Sequence, residues 1–232
     1  AYKLVLKWSL IRLKIESASR KSHTLLLLRV FGFDRRTQQL LDDLGQRWRT
    51  IGPIQLIGGT DLVSTTIEPH EAFEFLNGRL SRSFIKNRED VEHRLSQRSI
   101  IPDPDGLFRI DDFYCYDYNW QMTVSVLAPA AGAVLMDLRS FTADNRGCIA
   151  EIKQLIATVP IERVVLLTDL STDMVVLEQT LRIAFNAVPG DSTNNSIKNS
   201  RLRILRASHR QKRSLDSLLG LLCDNFATGS VT

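Results

Sequence analysis

The chain of 232 residues has 44% hydrophobic and 24% charged side chains and a net charge of +4. This balance excludes a wholly disordered polymer and a membrane bundle, and leaves enough chain for one sizeable α/β domain with an appendage. The charge is uneven: Lys3, Lys7, Arg12, Lys14, Arg20, Lys21 and Arg29 face only Glu16 near the start, and Arg201, Arg203, Arg206, Arg210, Lys212 and Arg213 cluster near the end.

Few aromatic side chains interleave with these cations, so the stacking platform of a single-strand binder is missing and nucleic acid is not an expected partner. The three cysteines, Cys115, Cys148 and Cys223, are far apart and form no Cys-x-x-Cys pair, which argues for a reducing compartment and against a disulfide framework or a zinc knuckle. No apolar run reaches the length of a membrane span. A cytoplasmic protein is expected, either free or as the cytoplasmic part of a membrane-tethered chain. Residues 1–22 read as a basic extension, and Leu4, Val5, Leu6, Trp8, Leu10, Ile11 and Leu13 alternate with cations there. They suit either a juxtamembrane helix or a helix docked on the domain.

Residues 23–232 read as one domain. Residues 24–30 (TLLLLRV) form a continuous apolar run that predicts a buried strand. Asp34 is placed to cap a helix carrying Leu40, Leu41, Leu44 and Trp48 on one face, stopped by Gly52 and Pro53. Residues 54–57 predict a second strand, ended by Gly58 and Gly59 beside Asp61. From 62 to 101 the pattern is helical with a break near Asn87. Residues 102–118 (PDPDGLFRIDDFYCYDY) combine turn formers, carboxylates and aromatics, and predict an inserted hairpin or ordered loop over the sheet edge.

Trp120 opens a predicted helix, and residues 133–138 (AVLMDL) predict the central strand. It ends at Asp137 and Arg139 and is followed by a polar loop holding Ser140, Thr142, Asp144, Asn145, Arg146 and Gly147. The helix after it repeats Cys148, Ile149, Ile152, Leu155, Ile156 and Val159 at helical spacing. Residues 163–168 predict the next strand, 174–185 a helix, 189–200 a turn-rich loop, 202–205 a last strand, and Leu215, Leu218, Leu219, Leu222 and Phe226 a closing helix. Strands alternating with helices predict a doubly wound, flavodoxin-like open sheet of about five mostly parallel strands.

At Gly147-Cys148-Ile149-Ala150-Glu151 the chain resembles the TIR-domain superfamily, in which a strand, a polar serine-containing loop and a helix opening with Trp-Cys-x-x-Glu follow one another. It is also similar to nucleoside 2-deoxyribosyltransferases, where a strand, a short loop and a glycine precede a helix bearing a glutamate. The likeness spans about residues 23–210 and suggests a bacterial-type side family, with Arg146-Gly147 where TIR domains have tryptophan. The resemblance implies that Glu151 acts at a ribosyl carbon, in an N-glycosidase, NAD-nucleosidase or ribosyl-transfer reaction. NAD or another nucleotide is then a ligand and no further cofactor is required.

The ligand-binding candidates are Asp137, Arg139, Asn145, Asp61, Tyr114 and Trp120. Asp137 and Arg139 suit either a structural ion pair or contacts to ligand hydroxyls and phosphate, and Asn145 suits a helix N-cap equally well. His70, between Glu68 and Glu71, matches no metal spacing, and the aspartates at 103, 105, 111, 112 and 117 lack the pattern of a calcium loop, so no metal site is expected. Cys148 reads as a buried cysteine. The alternative to an enzyme is a non-catalytic signalling or assembly module of a membrane-anchored protein, binding a nucleotide or a second copy of itself.

Overall fold

The computed structural model describes residues 24–29, 35–58, 84–188, 194, 201–207 and 211–227. The predicted basic extension, Asp34, Asp61 and His70, and all of the loop at 189–200 except Asn194, lie outside the described residues.

Among the described residues seven parallel strands form the sheet: β1 (Leu25–Arg29), β2 (Ile54–Gly58), β3 (Phe84–Ile85), β4 (Ile110–Cys115), β5 (Ala133–Asp137), β6 (Val164–Thr168) and β7 (Arg203–Arg206). Among the described residues the helices are α1 (Arg35–Trp48), α2 (Arg88–Gln97), α3 (Trp120–Ala130), α4 (Arg146–Thr158), α5 (Met174–Asn186) and α6 (Gln211–Ala227). The strands stand in the order β3-β4-β2-β1-β5-β6-β7. The doubly wound parallel sheet expected from the sequence is present, with seven strands rather than about five.

The five strands read from the sequence stand as β2-β1-β5-β6-β7, the 2-1-3-4-5 order of flavodoxin-like sheets. β4 and β3 extend that sheet beyond β2. β4 is the main correction to the sequence reading, because residues 110–115 are a strand hydrogen-bonded between β2 and β3 and not part of an inserted hairpin over the edge. Loop remains before it, where Gly106, at φ 85, donates its N–H to the Asp103 carbonyl, and after it, in the turn closed by the Asn119 N–H to the Tyr116 carbonyl. A second correction concerns Phe84, which lies in a strand and not a helix. The break expected near Asn87 is real, and Asn87 caps α2 by accepting from the Asp90 N–H at 2.9 Å.

Alternation along the strands divides the core into two layers. Leu26, Leu28, Val134, Met136 and Leu166 pack with Val91 of α2, Leu127 of α3, Ile152 of α4 and Leu177 of α5. Leu25, Leu27, Leu135, Val165 and Leu167 pack on the opposite face with Leu44 and Trp48 of α1 and Leu215, Leu218 and Leu222 of α6. β1 and β5 are buried on both faces, which is why their sequences are unbroken apolar runs. Each fully buried leucine contributes roughly 1.5–3 kcal/mol over its exposed state. Among the described residues no helix is long and apolar enough to cross a membrane.

Candidate functional site

The chain passes from β1 to β2 on one side, and β5 later joins β1 on the other, so the strand order reverses between β1 and β5. In doubly wound sheets ligands bind at such a point, outside the carboxyl ends of the strands. Asp137 is the last residue of β5 and the register partner of Arg29, the last of β1. The candidate site is therefore organised around the loop that leaves Asp137.

Asp137 is 4% exposed and is held by Arg139. The guanidinium donates from Nε to Oδ1 at 2.9 Å and from Nη2 to Oδ2 at 2.6 Å, and the Arg139 N–H adds a 3.2 Å bond to Oδ1. This bidentate arrangement fixes both side chains at the strand end. Ser140 follows with φ 64, a left-handed conformation, and the chain turns there toward the neighbouring loop.

The loops after β5 and β6 are tied together. Ser140 donates its N–H to Ser171 Oγ at 3.0 Å, and Ser171 Oγ donates to Asp169 Oδ1 at 2.5 Å. Thr172 donates its hydroxyl to the Leu138 carbonyl at 2.9 Å while accepting from the Asp169 N–H at 3.0 Å. The Asp173 N–H reaches the Phe141 carbonyl at 2.9 Å. Ser171 and Thr172 were not singled out from the sequence. The signal was the recurrence of Asp-Leu, then a serine, after both strands, at Asp137-Leu138-Arg139-Ser140 and Asp169-Leu170-Ser171.

Asn145 occupies the N-cap position of α4 but makes no side-chain bond to that helix. Its Oδ1 instead accepts from the Thr142 N–H at 2.7 Å, closing the loop. The first turn of α4 is thus left without a side-chain cap.

Glu151 lies further along α4. It is 4% exposed, and its Oε2 is buried without a hydrogen-bond partner among the described residues. Burial in this apolar layer raises its carboxyl from the ordinary 4.5 to about 8, because the charged form loses its hydration with no compensating partner. Glu151 stands one turn after Gly147 and Cys148, near the end of α4 that follows the carboxyl edge of β5, and helical side chains in general lean toward that end.

The other sequence candidates are spread out. Asp137 shares strand parity with Ala133 and Leu135 on the α1/α6 face, whereas α4, bearing Glu151, covers the opposite face. Tyr114 is on β4, three strands from β5 and so roughly 14 Å away. Its ring centroid is 5.9 Å from that of Phe84, which in turn packs on Tyr116 at 4.6 Å. Trp120 opens α3 and packs on the core beneath α2–α5. Cys148 is 1% exposed and Cys115 is buried, its thiol raised first by desolvation. Among the described residues no group of three or more His, Cys, Asp or Glu is placed to hold a metal ion.

Comparisons with protein-family models, with curated proteins and with solved structures give no match.

Proposed function

We propose that the crevice at the β1/β5 reversal binds a nucleotide such as NAD, and that Glu151 acts at its ribosyl carbon to cleave or transfer the base. The observation that carries this reading is Glu151 itself. An unpaired carboxyl buried one turn behind the carboxyl edge of a doubly wound sheet, with its pKa near 8, is costly to maintain, and such perturbed groups concentrate at functional sites. The TIR-like Gly-Cys-Ile-Ala-Glu stretch supports the same assignment. Asp137 and Arg139, at the end of β5 on the other face from α4, are assigned in this reading to ribose hydroxyls and phosphate reaching over the sheet edge.

The chemistry depends on the leaving group. In hydrolysis the bond from the ribosyl carbon to the base nitrogen breaks, the electron pair leaves with the base, and water supplies the new carbon–oxygen bond and loses a proton. A neutral nucleoside base needs a proton from an acid, which the protonated Glu151 provides at neutral pH. The nicotinamide of NAD already leaves as a neutral molecule, so Glu151 serves there as a carboxylate facing the oxocarbenium-like carbon. The two substrates therefore predict opposite pH profiles around pH 8, falling for the nucleoside and rising for NAD.

The test is incubation of the folded protein, at high concentration, with NAD and a panel of nucleosides, following free base by chromatography beside Glu151→Gln. Release by the parent alone supports the enzyme reading and identifies the substrate class. The second reading, a non-catalytic assembly module, is favoured by the 4% exposure of Glu151, which leaves the carboxyl little access to a substrate. No release from either protein, together with concentration-dependent association of both, would decide for it.

A further inference from the structure

Apart from Glu151, every buried side-chain polar atom without a partner among the described residues belongs to four residues: Thr24 Oγ1, Gln55 Nε2 and Oε1, Arg98 Nη1 and Asp111 Oδ2. The sheet register brings them together. Gln55 is the partner of Leu26 on one side and of Asp111 on the other, so Gln55 and Asp111 stand side by side on the face that Leu26 presents to α2 and α3. Thr24, two residues before Leu26, lies on that same face, diagonal to Gln55. Arg98 caps the end of α2 and is electrostatically coupled to Asp111. All four sit at the amino ends of the strands, the opposite end of the sheet from Asp137.

Gln55 is 0% exposed, and among the described residues neither its amide N–H groups nor its carbonyl meets a partner. The group combines donors from Gln55, Thr24 and Arg98 with acceptors on Gln55, Thr24 and Asp111. A cation would meet the guanidinium and the amide N–H groups, and an anion would meet the Asp111 carboxylate. Water both donates and accepts, and is the ligand that satisfies such a mixed set.

We propose that Thr24, Gln55, Arg98 and Asp111 line an internal hydration site, in which ordered waters together accept from Gln55 and Arg98 and donate to Gln55, Asp111 and Thr24. The waters bridge Arg98 to Asp111 and give Gln55 the partners it lacks among the described residues. The entrance of the site runs past Arg98 and Asp111, which are only partly buried, whereas Thr24 and Gln55 are enclosed.

A high-resolution crystal structure of the parent tests this directly, with Gln55→Met as the matching variant. The expected result is water bonded to the Gln55 amide and to Asp111 in the parent, lost in Gln55→Met, with a Tm lower by about 2–4 °C because Thr24 and Asp111 each lose a water partner. Direct bonds among the four side chains with no water between them would overturn the proposal, as would a Tm in Gln55→Met that is unchanged or higher, the response of a dry, unpaired amide to an apolar replacement. If Gln55→Met does not fold, the parent crystal structure alone decides.

Discussion

Glu151 shows how one residue can oppose the fold that holds it. Its carboxyl is raised from 4.5 to about 8 by desolvation, so the folded state favours the protonated form. That contribution is complete below pH 4.5 and is lost as the pH rises through about 8. Stability should therefore fall across this window by up to roughly 1.4 kcal/mol per pH unit. Glu151→Gln removes the titration, and in urea unfolding it should flatten the slope and exceed the parent by about 1–3 kcal/mol near pH 7. Parallel slopes for the two proteins would show that Glu151 ionises freely in the folded state.

Asp137 behaves differently because its charge is matched. The side chains of Asp137 and Arg139 are only 5% and 15% exposed, so removing one leaves the other charged and largely out of water. Asp137→Ala should cost about 3 kcal/mol in denaturant unfolding, whereas replacing both, as Asp137→Leu with Arg139→Met, should cost far less. Equal losses for the single and the double variant would mean that the pair itself has little energetic weight.

At the scale of elements, the two helices that follow β5 and β6 begin in contrasting ways. Asp173 accepts from the N–H groups of Val175 and Val176, both at 3.1 Å, and caps α5. Asn145 stands in the same position before α4 but is turned back to Thr142. Asp173→Ala should therefore destabilise the protein by about 1 kcal/mol, the ordinary cost of losing an N-cap. Asn145→Ala should loosen the loop after β5 with little change in α4, which hydrogen exchange of the two helices would separate. The elements that sequence reading located correctly are those whose apolar pattern is strong and local, β1, β5 and β6 among them. It missed β4, in which Asp111 and Asp112 interrupt the apolar pattern and whose burial runs from exposed to buried along its length. Neighbouring strands, and not its own composition, make that segment a strand. β3 is two residues long and carries no periodic signal at all.

For the whole molecule, the order of the sheet ranks the strands by protection. β1 and β5 are central and covered on both faces, while β7 and β3 end the sheet. Amide exchange should be slowest in β1 and β5 and fastest in β7, where Ile204 is 43% exposed. Comparable exchange in β7 and β1 would contradict the observed strand order. The fold class was legible because the alternation of strands and helices is written along the chain. The candidate site was legible only in part. Asp137, Arg139 and Glu151 lie where strand-end and helix-start reasoning put them, but the ties through Ser171 and Thr172 join segments about thirty residues apart. The register that sets Gln55 beside Asp111 was invisible because it depends on β4 being a strand.

The central claim is that Glu151 is an uncharged, unpaired carboxyl within the fold at neutral pH. Its infrared carbonyl band, taken as the difference between the parent and Glu151→Gln from pH 4 to pH 9, tests this most directly. A protonated-carboxyl band that persists through pH 7 and disappears around pH 8 is the predicted result. A band that disappears near pH 4.5 would mean that Glu151 is an ordinary solvated carboxylate, and the site proposed around it would lose its basis.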